Sequence, residues 1–363
     1  MLSPYQSLTA QVAAVLRTEV RSGTWVQILP SERQLVERLA VSRKTIRKAL
    51  GMLRSEGLIR TDRRRASSLI TRPPVRTSPI HKVALLFPDS LDEARPFTVL
   101  WLNRLTALLN ESGLQLEVFT GRRYFGTSAG NALKRLVELH PDRCWILART
   151  HRAMQEWFVA NRIPALVAGT SHAGIDLPSV DVDHRGLCRH AAIALLREGH
   201  SRLALFLDKA GRAGDDDSEQ GFREGIATNS HAEEPFIRRP DGSPASVIRE
   251  LNHLQQLAAP PTAYLLASSF SYLTVLSALA AQGLRVPRDI SLISRDEEPF
   301  LSHLQPNPAR YATSPAKYAT AIYQAIKRVL EHNTAPFQLR ITANFIKGGS
   351  VGRPNAASAT PRP

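Results

Sequence analysis

Apolar residues follow two different patterns along the chain. Up to residue 59 they recur every three or four positions, as at Leu35 and Leu39, which places them on one face of a helix. From Lys82 onward, short continuous apolar runs such as residues 83–87 alternate with stretches of helical period. The first pattern predicts a small helical domain and the second a layered α/β domain, because buried parallel strands are apolar on both faces.

Residues 29–59 are predicted to form two short helices joined by a tight turn. Ser31 can cap the first helix through its hydroxyl, and Gln34, three residues later, can complete a capping box. Ala40 lies at the corner, and Ser42 provides a second cap that opens the second helix. This order of caps, turn and helices is typical of a helix-turn-helix.

The second of these helices has an apolar face and a basic face. The residues expected to face inward are Ile46, Ala49, Leu50 and Leu53. Lys44, Arg47 and Lys48 then face outward, and Arg43 and Thr45 occupy the first turn, where unpaired N–H groups attract anions. The alternative is a merely solvated face, but the coincidence of caps, turn and apolar seam favours binding to DNA.

The same window resembles the winged helix-turn-helix of GntR-type bacterial regulators. The matching residues are Leu29-Pro30-Ser31-Glu32-Arg33, Val41-Ser42-Arg43, Thr45-Ile46-Arg47, Ala49-Leu50, Leu53 and Glu56-Gly57-Leu58-Ile59. The resemblance implies that Arg33, Arg43, Arg47 and Thr45 contact phosphates and bases. Ser42, Lys44 and Lys48 lie at the start or on the outward face of the same helix, and we include them in the predicted DNA-binding surface.

The predicted wing departs from the family pattern. The family's wing usually turns on glycine, whereas this chain has Asp62, the arginine triplet Arg63, Arg64 and Arg65, and then Ala66. Three adjacent arginines suit a minor groove or a phosphate ridge, so we include them among the predicted DNA contacts.

Prolines mark the end of this first domain. Three prolines fall within residues 71–79 and predict a stiff, extended connector. We therefore predict a DNA-binding domain over residues 1–72, a linker over 73–81, a ligand-binding and dimerisation domain over 82–352, and a disordered tail over 353–363.

Strands and helices alternate through the larger domain, which predicts doubly wound parallel sheets. The predicted strands cover residues 83–87, 116–120, 144–148, 165–168, 203–207, 263–267, 290–293 and 338–346. The predicted helices cover residues 97–111, 129–139, 153–161, 186–197, 219–227, 272–282 and 315–331. The alternation restarts after Asp183, so we expect a first lobe of residues 82–183 and 313–334, a second of 184–312 and 337–352, and a cleft between them.

This domain resembles the effector domain of LacI-type repressors, which is itself similar to periplasmic sugar-binding proteins. The residues that carry the resemblance are Pro178-Ser179-Val180-Asp181-Val182-Asp183, Gly199-His200-Ser201-Arg202-Leu203-Ala204, Gly221-Phe222 and the series Gly283-Leu284-Arg285-Val286-Pro287-Arg288-Asp289-Ile290-Ser291-Leu292-Ile293. The resemblance implies a two-lobed, periplasmic-binding-protein-like fold. With a GntR-type head, the combination is similar to that of arabinose repressors.

Ligand positions follow the family only in part. Asp296 matches the family's ligand-contacting aspartate, whereas Ser218 stands where the family often has arginine and Ser269 where it often has a polar pair. Asp89, Ser90, Thr170 and Asp208 follow strand ends, where ligands of such sheets usually bind. These seven residues are the candidate effector contacts, although each alone is more often a turn or cap residue.

The composition of the chain limits the classes of function that we expect for this protein. The net charge is +15, and residues 1–72 hold 14 Lys and Arg against 5 Asp and Glu, so one small domain carries most of the excess and is expected to bind a polyanion. Cys144 and Cys188 are far apart and predict two buried thiols, with neither a disulfide framework nor a zinc site. The N-terminus lacks the pattern of a signal peptide, which predicts a cytoplasmic protein.

Catalytic and cofactor chemistry is not expected. The acidic run Asp215-Asp216-Asp217 is interpreted as a solvated loop and not as a metal site. His190 and His200 near Cys188 could imitate a nucleophilic dyad, but the spacing of His190 on a helix points its ring elsewhere. We find no phosphate-binding loop and no nucleophile elbow, so we predict no catalytic residue, no metal and no cofactor.

These patterns together predict a transcriptional regulator. We expect a repressor that binds a palindromic operator in double-stranded DNA as a homodimer and responds to a small-molecule effector, with sugars among the candidates. Two alternatives are a solute-binding transport component and a GntR-headed, aminotransferase-like cofactor enzyme. The first should carry an export signal, and the second a longer chain with a Schiff-base lysine.

Overall fold

The computed structural model describes residues 7–21, 29–56, 58–60, 68–69, 82–331 and 336–355. The chain divides into two compact units, Met1–Pro79 and Ile80–Pro363. This division falls within the predicted linker, residues 73–81, which lies outside the described residues. Most of the predicted tail, from residue 356 onward, also lies outside them.

The described residues of the first unit form three helices and a pair of short strands. They are α1 (Leu8–Arg21), α2 (Glu32–Leu39), α3 (Arg43–Ser55), β1 (Ile59–Arg60) and β2 (Ser68–Leu69). The strands pair antiparallel, with Ile59 opposite Leu69. Residues at helical spacing fill one core, in which Leu16, Leu35 and Ile46 are fully buried. Helix propensity in such short segments is weak, so this shared core is what holds the three helices.

Local capping determines where α2 and α3 begin. The Ser31 hydroxyl accepts a hydrogen bond from the Gln34 backbone N–H, and the Gln34 side chain accepts one from the Ser31 N–H. Ser42 accepts from the Thr45 N–H at 3.1 Å. Between the helices Ala40 adopts a left-handed conformation with φ of 50°, which reverses the chain within two residues. The predicted helix-turn-helix is thus present.

The second unit is built on two six-stranded sheets. The first-lobe strands are β3 (Lys82–Phe87), β4 (Gln115–Thr120), β5 (Arg143–Ala148), β6 (Ala165–Ala168), β7 (Ser179–Val182) and β13 (Gln338–Ile341). The second-lobe strands are β8 (Leu203–Phe206), β9 (Phe236–Arg238), β10 (Ala263–Leu266), β11 (Ser291–Ser294), β12 (Ala309–Ala312) and β14 (Asn344–Ile346). All the pairings are parallel except that of β12 with β14.

Helices cover both faces of each sheet. Those of the first lobe are α4 (Pro96–Glu111), α5 (Gly130–Leu139), α6 (Arg152–Ala160) and α11 (Pro315–Leu330). Those of the second lobe are α7 (His184–Arg197), α8 (Ala213–Ile226), α9 (Pro244–Gln255) and α10 (Ser269–Ala281). Each lobe has one apolar cluster on either side of its sheet, which explains why the central strands are buried along their whole length.

The C-terminal part of the lobe assignment was wrong. We predicted one strand over residues 338–346 within a second-lobe segment of residues 337–352. Instead β13 pairs with β7 in the first lobe, and only β14 joins the second-lobe sheet. The chain therefore crosses between the lobes three times, after β7, after β12 and after β13. Apolar spacing does not show which of two sheets a strand joins, because the pairing partners lie far away in sequence.

Some elements were not predicted, and one was misinterpreted. Strands β7, β9 and β12 and helix α9 were not predicted, because none of them has a clear apolar run. The Ser243 cap and Pro244 in the first turn do mark the start of α9. The acidic run 215–217 is not a loop, because α8 begins at Ala213 and buries Asp215. Carboxylates stabilise the first turn of a helix, so an acidic run can begin a helix even where its composition resembles that of a solvated loop.

Both cysteines are buried and free, as predicted. Burial raises the pKa of each thiol to about 12, so neither is a reactive thiolate. Among the described residues, no helix combines the length and the apolar character that crossing a membrane requires.

Candidate functional sites: a basic helix face and a charged cleft

The exposed face of α3 carries the residues expected to contact DNA. The side chains of Arg43 and Arg47 are 67% and 61% exposed, and Arg33 on α2 is 89% exposed. Lys44 and Lys48 are also exposed, while Ile46 on the opposite face is fully buried. At the start of the helix, the Ser42 and Thr45 hydroxyl groups form a hydrogen bond, with their oxygens 2.9 Å apart. The surface is therefore cationic and available to a phosphate backbone.

One carboxylate holds the two arginines of this face. The Nε atoms of Arg43 and Arg47 both donate to Glu32 Oε2 at 3.0 Å. The hydrogen bond from Arg43 lowers the pKa of Glu32 most; burial opposes it, and the hydrogen bond from Arg47 adds to the lowering. Because the guanidinium groups are solvent-exposed, this pairing orients them and contributes little to stability.

The arginine triplet of the predicted wing, Arg63, Arg64 and Arg65, lies outside the described residues. The strands β1 and β2 that flank it pair with each other, so the two ends of this segment are held side by side.

In the second unit, a cavity of about 210 Å³ opens between the two lobes. It lies beyond the carboxyl ends of β3, β5 and β6 in the first lobe and of β11 and β12 in the second. Ligands of doubly wound sheets bind at this edge. The volume is below the roughly 300–1,000 Å³ of sites for drug-sized molecules, so the cavity suits a small metabolite.

Aromatic rings form one wall of the cavity, and charged side chains form much of the rest. Phe87, Phe97, Trp101 and Tyr318 belong to the aromatic wall, and Tyr318 packs edge-to-face against Trp101 at 5.5 Å between ring centroids. The charged and titratable residues that line the cavity are Arg95, Arg149, Asp181, His184, Arg212, Asp215, Arg295, Asp296 and Glu297.

A buried ionic cluster joins the two lobes at the cavity. Arg295 Nη1 lies 2.8 Å from Asp215 Oδ1, and Arg295 Nε lies 3.4 Å from Asp296. Asp296 also accepts a hydrogen bond from Arg95, which occupies the N-cap position of α4 in the first lobe. Burial disfavours the charged form of Asp296, but Arg95 and Arg295 outweigh it and lower its pKa to about 2. Asp296 is therefore ionised and fully engaged.

Further contacts cross between the lobes, among them an ion pair between Arg95 Nε and Glu298 Oε1 at 3.1 Å. The backbone N–H of Phe97 donates to Glu298 Oε2 at 3.0 Å, which ties the start of α4 to the second lobe. Arg340 on β13 donates to Asp217 on α8 at 2.6 Å. Ion pairs of this kind can break and reform as lobes move, so they are the contacts that a closing or opening cleft would change.

A second polar group lies where β7 leads into α7. Asp181 accepts a hydrogen bond from Thr170 at 2.8 Å and lies 3.4 Å from His184 Nε2. Burial opposes ionisation of Asp181, but the charge and hydrogen bond of His184, with Thr170 and the Val182 N–H, lower its pKa. His184 Nδ1 is buried and has no hydrogen-bond partner in the part of the chain that the structure describes.

Two of the seven predicted effector contacts, Asp296 and Thr170, line the cavity. The other five do not, for different reasons. Asp89 pairs with Arg122, Ser90 caps a short turn by accepting from Asp92, and Asp208 pairs with Arg212 behind the cavity wall. Ser218 is fully buried beneath Arg295, and Ser269 is fully buried in the first turn of α10.

Sequence reasoning missed the four cavity arginines, Arg95, Arg149, Arg212 and Arg295. Arg149 directly follows β5 and Arg295 directly follows β11, so the rule about strand ends, applied to basic as well as acidic residues, could have found both. Arg95 and Arg212 occupy the N-cap positions of α4 and α8 without forming a side-chain cap. A basic residue at such a position is a weaker indication of a binding site than one at a strand end.

The two histidines that could imitate a nucleophilic dyad with Cys188 have structural partners. His190 Nδ1 lies 2.6 Å from the Tyr311 hydroxyl, and His200 contacts Thr262 and Ser291 at 2.8 and 3.0 Å. Burial lowers the pKa of both imidazoles, which therefore stay neutral. No group of three or more metal-binding side chains occurs within the described ranges.

Comparisons with known proteins match this architecture. Residues 8–68 match the model of bacterial regulatory proteins of the gntR family, and residues 192–351 match that of the periplasmic binding protein-like domain. The HTH-type transcriptional regulator CelR of Thermobifida fusca is 26% identical over 251 residues, which cover 67% of this chain and 71% of CelR. The regulator AglR of Rhizobium meliloti (strain 1021) is 28% identical over 216 residues, covering 57% of this chain and 60% of AglR.

Solved structures show the same fold. A transcriptional regulator CelR–cellobiose complex has a TM-score of 0.66 at 20% identity and covers 95% of this chain and 100% of that one. A LacI family regulator from Enterococcus faecium with bound ribose has a TM-score of 0.62 at 16% identity, covering 75% and 98%. The chain thus resembles a gntR-type helix-turn-helix domain in residues 8–68 and a periplasmic binding protein-like domain in residues 192–351.

Proposed function

We propose that this protein is a ligand-responsive transcriptional regulator, a repressor, that binds operator DNA through α3 and a small molecule in the cleft between its lobes. The gntR-type domain, the cleft, and relatives named as transcriptional regulators support the proposal. Such a regulator acts in the cytoplasm, where the chromosome of a bacterium lies.

The main support for this proposal is that α3 has one apolar face and one basic face. Its apolar face is buried, and its basic face is exposed and begins at a side-chain cap. A recognition helix enters the major groove with its N-terminal residues against the base edges, where arginine can donate two hydrogen bonds to guanine. Arg43 and Arg47 occupy the first turns of α3 and are the residues best placed for this role.

A homodimer on a palindromic operator follows from the geometry of recognition. Two recognition helices must fall about one turn of the duplex apart, and a two-fold dimer provides that spacing. Val99 and Leu100 on α4 are exposed apolar side chains, 39% and 47% accessible, and a second copy of the chain could cover them. A ligand that alters the angle between the lobes would then alter the spacing of the two recognition helices.

The proposed ligand is a small polar molecule, with a sugar as the leading class. The aromatic wall suits the flat apolar face of a sugar ring, and the polar side chains around it suit hydroxyl groups. The solved CelR complex contains cellobiose. For the ligand to act as a switch, it must bind the closed and open forms of the cleft with different free energies.

The described residues do not show the features that the two alternative classes of protein require. A solute-binding protein has no use for an exposed basic recognition helix. An aminotransferase-like enzyme requires a lysine in a cofactor pocket, and no lysine is among the described residues that line the cavity. Measuring DNA association with and without added pyridoxal phosphate would separate the three classes.

Replacing Arg43 or Arg47 by alanine is expected to abolish the protein's footprint on its operator upstream of neighbouring genes. Losing a bidentate arginine contact costs about 1–3 kcal/mol, or roughly 5- to 150-fold in affinity. Arg54→Ala is the matched control, because Arg54 is exposed on the last turn of the same helix. Circular dichroism should show all three variants folded, since the changed side chains are exposed.

Protection of the operator by Arg43→Ala or Arg47→Ala at the wild-type concentration would show that α3 is not the recognition helix. Equal loss with Arg54→Ala would indicate a general effect of charge in place of base recognition.

A further inference from the structure

One guanidinium group in the cavity forms no ion pair among the described residues, although the charges of Asp208 and Asp89 act on it from a distance. Arg95 pairs with Asp296, Arg212 with Asp208, and Arg295 with Asp215. Arg149 forms no ion pair and no hydrogen bond with any residue that the structure describes, although it lines the same cavity. The carboxylates in the cavity wall are already engaged, Asp181 with His184 and Glu297 with Arg310. A positive charge is therefore left over in a site built for a ligand.

The position of Arg149 in the sheet is where a ligand is expected. Strand β3 pairs with β4 on one side and β5 on the other, so the order of strands reverses between β3 and β5. Crevices at such reversals are the binding sites of doubly wound sheets. Arg149 is the first residue after β5.

Arg212 lies at the corresponding reversal of strand order in the second lobe, although it follows the first strand there, as Arg95 does in the first lobe. Strand β8 pairs with β9 and β10, so the strand order reverses there as well, and Arg212 precedes the helix that follows β8. Its Nη2 donates to Asp208 at 2.8 Å, whereas its Nε is buried without a hydrogen-bond partner in the described structure. Each lobe thus presents an incompletely satisfied guanidinium group to the shared cavity.

Arg149 is an exposed residue with an uncommon backbone conformation and a lowered pKa. Its φ is 56°, a left-handed conformation that is uncommon for a residue with a side chain and is often retained at binding sites. Partial desolvation in the cleft and the charge of Arg212 lower the pKa of Arg149 to about 10, so it stays protonated at neutral pH. The two like charges are close enough to repel each other.

We propose that the effector carries an anionic group, the phosphate of a sugar phosphate or the carboxylate of a sugar acid, and that this group binds between Arg149 and Arg212. The inference rests on the proposed function and specifies its ligand. Each guanidinium can donate paired hydrogen bonds to phosphate or carboxylate oxygens. An anion between them converts repulsion across the cleft into attraction, so binding favours approach of the lobes, whereas a neutral sugar leaves the repulsion in place.

The test measures thermal unfolding and calorimetric binding of the full chain in a phosphate-free buffer of low ionic strength. The probes are inorganic phosphate, glucose 6-phosphate, glucuronate and, as the neutral counterpart, glucose. We expect at least one anionic probe to raise the unfolding temperature, and glucose to have a smaller effect. Whether glucose 6-phosphate or glucuronate binds more tightly distinguishes a phosphate site from a carboxylate site.

Arg149→Met is expected to weaken binding of the anionic probe by at least about tenfold, since hydrogen bonds to charged groups are the stronger kind. The unliganded variant should unfold at the same temperature as wild type or higher, because a repulsion is removed. Arg162→Met is the matched control. Arg162 is another exposed first-lobe arginine with a left-handed φ, 54°, and is not among the residues lining the cavity.

The proposal is overturned if no anionic probe stabilises the protein, if glucose binds as tightly as its anionic counterparts, or if Arg149→Met binds anions as wild type does. Operator binding by unliganded wild type is measured on the same samples. If that binding is intact, such a failure concerns the ligand class alone and not the regulator assignment.

Discussion

Replacing Gly221 by alanine is expected to prevent α7 and α8 from packing and to destabilise the second unit by at least about 3 kcal/mol. A Cβ atom at this position would lie 2.0 Å from the Arg185 carbonyl oxygen and 2.8 Å from its Cα. The obstructing atoms belong to the backbone of α7, so no change of rotamer can relieve the clash. Overpacking of a core costs about 1–3 kcal/mol, occasionally more, and a rigid backbone contact belongs at the upper end.

Urea unfolding followed by circular dichroism measures this effect. Gly126→Ala is the control within the same unit, because no described atom lies within 4 Å of the position that its Cβ would take and its φ is not in the left-handed range. That substitution is expected to be neutral or to stabilise by up to about 1 kcal/mol through the unfolded state. A free energy of unfolding for Gly221→Ala within about 1 kcal/mol of wild type would contradict the close packing of α7 and α8.

Replacing Arg295 by methionine is expected to cost about 3–5 kcal/mol, because it leaves a buried carboxylate without its cation. The side chain of Arg295 is 10% exposed and that of Asp215 is 3% exposed, so water cannot take the place of the guanidinium. Asp215 Oδ2 already lacks a hydrogen-bond partner among the described residues, and Asp296 loses one of its two cations. The same denaturation experiment reports the loss.

Arg288→Met provides the comparison for Arg295. Arg288 approaches Asp289 only at 3.9 Å and its side chain is 59% exposed, so its loss should change the free energy of unfolding by no more than about 0.5 kcal/mol. Equal effects of the two substitutions would mean that the Arg295 cluster is not a buried charge network.

Local signals in the sequence were sufficient for the helix-turn-helix. The caps at Ser31 and Ser42, the apolar seam of α3 and its basic face are encoded within residues 29–59, and the structure forms them as predicted. The alternation of apolar runs and helical periods likewise predicted most strands and helices of the two-lobed domain. These features depend on neighbours within a few positions, which is why periodicity and capping reveal them.

The cleft could not be predicted in the same way, because its residues meet only after distant segments fold together. Asp215 appeared to belong to a solvated acidic run, and its partner Arg295 lies 80 positions later. Ser218 was predicted to contact a ligand but donates to the Gly214 carbonyl and lies beneath Arg295. The arginines were overlooked because single basic residues between strands and helices are common on ordinary protein surfaces.

The cross-lobe ion pairs connect the cleft to the proposed switch. Arg95 immediately precedes α4 and donates to Asp296 of the other lobe, so a ligand that displaces either group also changes how the start of α4 is anchored. The exposed Val99 and Leu100 lie one turn further along the same helix. A ligand in the cleft can thereby act on the helix that we propose to meet the second copy.

The most direct test of the account is the affinity of the full chain for a duplex containing its footprinted operator, measured by fluorescence anisotropy at about 50 and about 200 mM salt. If the basic face of α3 binds DNA, affinity should fall steeply with salt as phosphate counter-ions are released, and Arg47→Ala should weaken binding at both concentrations. Weak association that does not change with salt, or that Arg47→Ala leaves unaltered, would contradict the claim that this protein is a DNA-binding regulator.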